Sequence, residues 1–394
     1  MDIIFINTHP IQYFAPLYQQ MARDSDLQLT VLYLSSETVA GYRDSEFGVN
    51  VNWDIPLLTG YNHAFVRNNS WKAGIKNGFF GLVNFGVIGA LRKQSRNTMV
   101  VIHGWSHFSL VLSIWAAWFC RLHVCIRGES PLKHENFKVS PKSWLRRLFR
   151  NALIFPFVDS FLYIGSQNRK FYEACGIPDR KLHFTPYSVD NERFRRSYLE
   201  LSQRRDTFRA KIGIPNNVLV VLYAGKYIPK KRPMDLLHVI AHHPDLSFFL
   251  VMVGDGELRP QMETFVDENR LRHKILLTGF INQSAIAGYY AIADLFVMCS
   301  GQGETWGLSV NEAMNFNLPL LISDLTGCAE DLVKPGENGY IFATGNKDEI
   351  ASHIRRFAAM SQHDRARMGQ CSADIVQGYS FQNIIAALKQ VGNA

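Results

Sequence analysis

The chain has 394 residues, 47% of them hydrophobic, which suits two domains of the usual ~150 residues, each with its own core. Six cysteines lie mostly inside apolar runs with no CxxC pair, which argues against a disulfide framework or a zinc site and makes the reduced cytoplasm the default compartment. The net charge of +8 is uneven: residues 1–190 hold 20 Lys and Arg against 13 Asp and Glu, residues 191–394 hold 22 against 21, and the stretch 60–150 alone holds 14 against 2.

In chain order, MDIIFINTHP has an acidic second residue and no basic leader, so its apolar run is expected to be a first strand (2–7) and not a signal peptide. A helix-like stretch follows from about Tyr13, then strands LQLTVLYL (27–34), TMVVIH (98–103) and LHVCIR (122–127). The apolar run FSLVLSIWAAWFC (108–120) has 13 residues, short of the ~20 that span a bilayer, and reads as a buried or interfacial helix. The alternation restarts with VLVVLYAG (218–225), LSFFLVMVG (246–254), KILLTGF (274–280), ADLFVMCS (293–300) and LPLLIS (318–323). Strands alternating with helices predict α/β domains with parallel, doubly wound sheets. The polar segment VDNERFRRSYLELSQRR (189–205) reads as a crossing between them, with the boundary near residue 195.

The basic excess of 60–150 is interleaved with Trp71, Phe79, Phe80, Trp144 and Phe149 and includes WLRRLFR (144–150). That mixture favours an anionic surface, with a basic amphipathic helix on phospholipid as its specific form and a merely solvated face as the alternative. No nucleic-acid recognition motif accompanies it, so no such partner is expected. The acidic triplet Asp24-Ser25-Asp26 precedes a strand, where a metal-binding DxD would follow one, and no clustered ligand set suggests a metal.

In doubly wound folds ligands bind beyond the carboxyl ends of the strands. There the second half places Lys226, Lys230, Lys231 and Arg232, the glycine turn GDGEL (254–258), and Gly301, Gly303 and Glu304. The stretch ETWGLSVNE sets two carboxylates, Glu304 and Glu312, around Gly307. With a helix beginning near Gly307, Glu304 sits in the entering loop and Glu312 about one and a half turns in. First-turn N–H groups favour an anion, while flanking carboxylates suit hydroxyls; a sugar joined to a diphosphate offers both.

From about residue 160 onward the chain resembles the retaining glycosyltransferases of the GT-B fold, specifically glycosyltransferase family 4. The passages that carry this are CGIPDRKLHFTPYSVDNERF (175–194), AGKYIPKKRP, VGDGEL, LTGF, ETWGLSVNEAM, GCAEDLV (327–333) and ENGYIF (337–342). The resemblance implies two Rossmann-like domains facing across a cleft: an acceptor-binding domain over 1–195, a nucleotide-sugar-binding domain over 196–375, and a helix over 376–394 returning to the first. It implies that Lys226 and Lys231 hold the donor's diphosphate, with Arg232 as an alternative to Lys231. Glu304 would meet the sugar's hydroxyls, backbone N–H groups of Gly307 and Leu308 phosphate or sugar oxygens, and Glu312 the ribose; Gly254 and Phe280 complete the donor-side set. Lys231 and Glu304 are thus the catalytic candidates of a retaining, metal-independent hexosyltransferase with no cofactor beyond its nucleotide-sugar co-substrate.

The first half departs from that family. The first strand is followed by NTHPIQYFAP, which puts His9 and Gln12 where a glycine pair is usual, and LHVCIRGES offers Arg127, Gly128 and Glu129 in place of a His. Glu129 or His103 would be the base. The expected function is sugar transfer to a saccharide or lipid-linked acceptor, in bacterial surface-polysaccharide or glycolipid assembly, on the cytoplasmic face of an anionic membrane. The alternatives are a GT-B epimerase and a silent nucleotide-sugar-binding protein.

Overall fold

Strands such as DIIFIN and FFLVMV are apolar on both faces, a pattern that requires cover on both sides and therefore a parallel sheet between helices. A computed structural model, describing residues 1–39, 41–43, 48, 50, 51, 53–135, 140–215 and 217–393, shows two such units. One comprises Met1–Tyr42, Ile55–Pro186 and Phe381–Ala394; the other comprises Arg43–Asp54 and Tyr187–Ser380.

In the first unit the strands are β1 (Asp2–Asn7), β2 (Gln28–Tyr33), β5 (Asn62–Phe65), β6 (Met99–Ile102), β7 (His123–Ile126), β8 (Ser160–Tyr163) and β9 (Leu182–Phe184). Two short strands, β3 (Tyr42–Arg43) and β4 (Asn50–Val51), form a separate two-stranded sheet. The seven lie parallel in the order β5-β2-β1-β6-β7-β8-β9. Ile4, Ile6, Val100, Ile102, Val124 and Ile126 pack one face against Leu110, Val111 and Ile114 of the helix Phe108–Phe119. The run read as a buried or interfacial helix is that helix, and its last turn leaves Trp118 and Phe119 exposed.

The second unit has β10 (Leu219–Ala224), β11 (Phe248–Val253), β12 (Ile275–Leu277), β13 (Leu295–Met298), β14 (Leu320–Ser323) and β15 (Gly339–Phe342), all parallel, in the order β12-β11-β10-β13-β14-β15. Each sheet grows outward from its first strand, then reverses. The reversal falls between β1 and β6 in one unit and between β10 and β13 in the other, and the carboxyl ends at those switch points are where such sheets bind ligands.

The chain passes between units at 186/187 and 380/381, not near 195 and 375. The polar crossing segment forms the helix Asn191–Leu201, which buries Phe194 against Tyr290 and Phe316 and so belongs to the second unit. Ser188 Oγ and Asn191 Nδ2 both donate to the Tyr379 carbonyl, at 2.7 and 3.0 Å, tying the two crossings together inside that unit. The last helix, Phe381–Gly392, buries Phe381, Ile384, Ile385, Leu388 and Val391 in the first unit. A Cβ on Gly392 would lie 2.1 Å from Met1 Sδ. Lys389 pairs with Asp24 and Asp26 at 2.9 and 2.8 Å, which gives the acidic triplet a structural partner. Residues Arg43–Asp54 join the second unit: Trp53 meets Phe280 edge-on at 6.0 Å, and Asp54 accepts from Ser284 N.

Candidate functional site

Backbone hydrogen bonds hold the loops at the β10/β13 switch point of the second unit together. Gly301 N donates to Lys230 O at 2.7 Å, Tyr227 N to Asp255 O at 2.8 Å, and Gly254 N to Gly279 O at 3.1 Å. These bonds link the loops after β13, β10, β11 and β12 into one rim. Gly254, at φ +150°, has no room for a side chain, since a Cβ would lie 1.9 Å from Gly225 O. Gly327 N, after β14, donates to Glu304 O at 3.1 Å and fixes the backbone that carries the glutamate.

At the centre of this rim Lys231 Nζ pairs with Glu304 Oε2, and Ser300 Oγ donates to the same oxygen at 3.0 Å. Glu304 is only 7% exposed. Burial pushes its carboxyl up, but the charge and hydrogen bond of Lys231, the charge of Lys230 and the Ser300 hydroxyl together hold it below the ordinary glutamate range. The site therefore presents a buried carboxylate and a cation side by side at neutral pH.

The neighbouring residues divide clearly. Arg232, left-handed at φ +50°, turns to buried Asp235, with Nε 2.7 Å from Oδ2. Lys226 is half-buried, and its carbonyl accepts from Tyr223 OH at 3.0 Å. Gly307 caps the helix Leu308–Met314 at φ +102°, where a Cβ would lie 2.9 Å from Met298 Sδ. Glu312 lies on that helix, 1% exposed, and accepts from Tyr290 OH at 2.6 Å. Trp306 Nε1 donates to Asn311 Oδ1 at 2.9 Å, and Asn311 Nδ2 to Tyr187 O at 3.2 Å, so both residues inside ETWGLSVNE orient the helix. Phe280 is half-buried against Trp53. Ser300 escaped the sequence reading; its signal was a lone hydroxyl at the end of an apolar strand.

At the β1/β6 switch point of the first unit the chemistry differs. His9 Nδ1 lies 2.9 Å from Thr8 Oγ1; burial, with a lesser contribution from His107, lowers its pKa to about 4. His103 packs edge-on to Phe14 at 4.6 Å, and its buried Nε2 has no hydrogen-bond partner among the described residues. Burial first, and the Arg127 charge second, hold this imidazole neutral well below the ordinary histidine range. Arg127, 4% exposed, lies 5.4 Å over the Phe14 ring and donates from Nη2 to Pro186 O at 3.1 Å. Gly128 admits no side chain, since a Cβ would lie 2.7 Å from Tyr172 OH; Gln12, three residues after His9, and Glu129 are half-buried. The structure thus groups His103, Phe14 and Arg127, and groups Lys231 with Glu304 and Ser300. Among the described residues no three or more His, Cys, Asp or Glu side chains form a set able to hold a metal ion.

Residues 204–373 match the family model described as glycosyl transferases group 1. The alpha-monoglucosyldiacylglycerol synthase of Acholeplasma laidlawii is 26% identical over 39% of this chain and 38% of its own length. The alpha-galactosylglucosyldiacylglycerol synthase of Streptococcus pneumoniae is 25% identical over 52% of this chain and 54% of its own. The chain therefore spans about half the length, or less, of these relatives. In fold it is similar to HepE of Anabaena, solved in complex with UDP, with a TM-score of 0.74, 16% identity and 99% of each chain covered.

Proposed function

Taking the chain as a glycosyl transferases group 1 protein of the GT-B fold, we propose that it transfers a sugar from a nucleoside-diphosphate sugar to a saccharide or lipid-linked acceptor, with retention and without a metal. One observation carries this reading: the loops after β10 and β13, at the switch point of the second unit, bring Lys231 and Ser300 onto one oxygen of buried Glu304. A diphosphate beside such a pair finds a cation, and the sugar attached to it finds a carboxylate that accepts hydroxyl hydrogen bonds.

The chemistry follows from charge. As the bond between the anomeric carbon and the diphosphate oxygen breaks, negative charge gathers on the departing phosphate. Lys231 and Lys226 stabilise that charge more than they stabilise the bound donor, which is what accelerates the step. Glu304 orients the sugar, and Glu312 meets the ribose. Acceptor recognition is assigned to the first unit. Of the two base candidates there, Glu129 is favoured, because His103 resists gaining a proton among apolar rings and beside a guanidinium. The relatives named above, one a monoglucosyl- and one a galactosylglucosyl-diacylglycerol synthase, support a glycolipid product.

The test is release of nucleoside diphosphate from a panel of nucleotide-sugars, with and without saccharide and lipid acceptors. Release that depends on both Lys231 and Glu304, with an α-linked product from an α-linked donor, is expected. An epimerised sugar still attached to its nucleotide would replace transfer with epimerisation. Ligand-induced thermal stabilisation without any turnover would leave a nucleotide-sugar sensor.

A further inference from the structure

The helix Pro141–Leu153 is well specified yet buries none of its residues. Ser140 caps it, accepting from Ser143 N at 3.2 Å, the Ser143 hydroxyl closes the reciprocal bond, and Pro141 opens the first turn. At ~100° per residue, Trp144, Leu145, Leu148 and Ala152 fall on one arc. Trp144 is 62% exposed, Leu145 60% and Leu148 48%. Such a face gains nothing from solvent, and a helix made only for solubility would carry charge there.

A second exposed apolar pair lies near the end of the helix. Trp115 Nε1 donates to Leu153 O at 2.7 Å, which brings the end of this helix to the end of Phe108–Phe119, where Trp118 and Phe119 are also exposed. Lys142 and Arg146, both exposed, lie beyond one edge of the apolar arc, from which long side chains of a helix in a headgroup layer can reach back to the phosphates. Arg150 does not take part: it is turned inward, over the rings of Phe155 and Phe171 at 5.4 and 4.8 Å and 3.0 Å from Cys175 Sγ. Across residues 60–150 the basic excess of 14 to 2 leaves the region strongly cationic.

We propose that Trp144, Leu145, Leu148, Trp118 and Phe119 form a docking face for an anionic phospholipid bilayer, with Lys142 and Arg146 on lipid phosphates. Charge selects this occupant. A second copy of the chain would bring like charges together, and a polynucleotide would satisfy the cations but leave leucine and tryptophan side chains unburied. The proposal is independent of the donor site, so failure of the transfer assay leaves it standing.

Co-sedimentation of the full chain with vesicles of equimolar phosphatidylglycerol and phosphatidylcholine, against pure phosphatidylcholine, tests it at low and high salt. Binding to the anionic vesicles alone, weakened by salt, is expected. The pair Lys142→Ala and Arg146→Ala should lower partitioning about thirtyfold, at about fivefold per cation. Trp144→Ala with Leu148→Ala should lower it without changing the salt slope, with circular dichroism confirming the fold. Brominated lipid should quench wild-type fluorescence more than that of Trp144→Phe. A supernatant-only result at low salt, tighter binding to duplex DNA than to vesicles, or a dimer in sedimentation that Trp144→Ala dissolves would each overturn the proposal.

Discussion

The two units share a sheet design and a switch point, yet place opposite chemistry there. In the second unit the switch point holds a buried carboxylate kept charged by a lysine, with both partners on loops fixed by backbone bonds. In the first unit it holds two imidazoles kept neutral, His103 among aromatic rings and beside a buried guanidinium. The difference teaches what each edge is built to receive. A fixed charge pair suits a ligand that brings its own charge and develops more of it. Neutral rings beside one arginine suit a ligand recognised by shape and by few polar groups.

The comparison breaks most directly at Lys231. Lys231→Ala is expected to cost about 2–4 kcal/mol of transition-state stabilisation, the loss typical of one preorganised charge-stabilising group. It also leaves Glu304 buried without its cation, which lowers stability. Lys231→Ala combined with Glu304→Gln should recover melting temperature but not turnover. Recovery of both would mean that the pair is structural and that the charged switch point has no catalytic role.

Acid separates the units by pH window. The folded pKa of His9 is depressed to about 4 from 6.5, so the unfolded chain takes up a proton first and stability falls as pH drops from about 6.5 to about 4. The largest possible effect is about 3 kcal/mol. The Glu304 carboxyl is also depressed, but its contribution is present above the ordinary glutamate value of about 4.3 and lost only as pH falls below it. Urea melts from pH 7 to 4 of wild type and His9→Gln should therefore differ in slope, the variant being flatter. Equal slopes would show that His9 is not held neutral at the first unit's edge.

A smaller effect sharpens the donor side. Glu304→Ala should reduce turnover more than affinity for free nucleoside diphosphate, whereas Glu312→Ala should weaken that affinity itself by about 1–2 kcal/mol, the scale of one hydrogen-bonded group. Calorimetry with the diphosphate, set beside kinetics with the full donor, distinguishes them. Equal loss of nucleotide affinity in both variants would remove the division of labour between the two glutamates.

The second unit was far more legible in sequence than the first, for a physical reason. Its strands lie within long apolar runs such as VLVVLYAG and LSFFLVMVG, and the chemistry follows each strand within a few residues, so Lys226, Lys230, Lys231, Arg232 and Glu304 could all be placed at strand ends, though not which cation meets the glutamate. In the first unit β5, Asn62–Phe65, is a polar, exposed edge strand that no periodicity marks. Its edge is also assembled from distant segments: Phe14, His103 and Arg127 meet only once the sheet has formed. The pairing of Lys389 with Asp24 and Asp26, and of Asp54 with Ser284, depends on the same long-range placement. Spacing cannot show such contacts.

The smallest expected effect fixes the register of the basic loop. Lys230, Lys231 and Arg232 are adjacent in sequence, but the short helical turn Pro229–Lys231 and the left-handed Arg232 send them in different directions. Lys231 reaches Glu304, Arg232 grips Asp235 through Nε and Nη2, and Lys230 is exposed. The Lys230 carbonyl holds the rim through Gly301 N, but its side chain acts on the site through charge, helping to hold the Glu304 carboxyl low. Lys230→Ala should therefore change turnover and stability by no more than about 0.5 kcal/mol, the usual size of an exposed charge effect, and that small change should shrink further in high salt. Arg232→Ala should act differently, lowering melting temperature by freeing buried Asp235 while leaving the turnover of folded enzyme within severalfold of wild type. Steady-state kinetics and thermal melts of the three alanine variants check this ordering. If Lys230 or Arg232 carried the hundredfold loss in rate, the charge pair at the centre of the second unit would have been assigned to the wrong lysine.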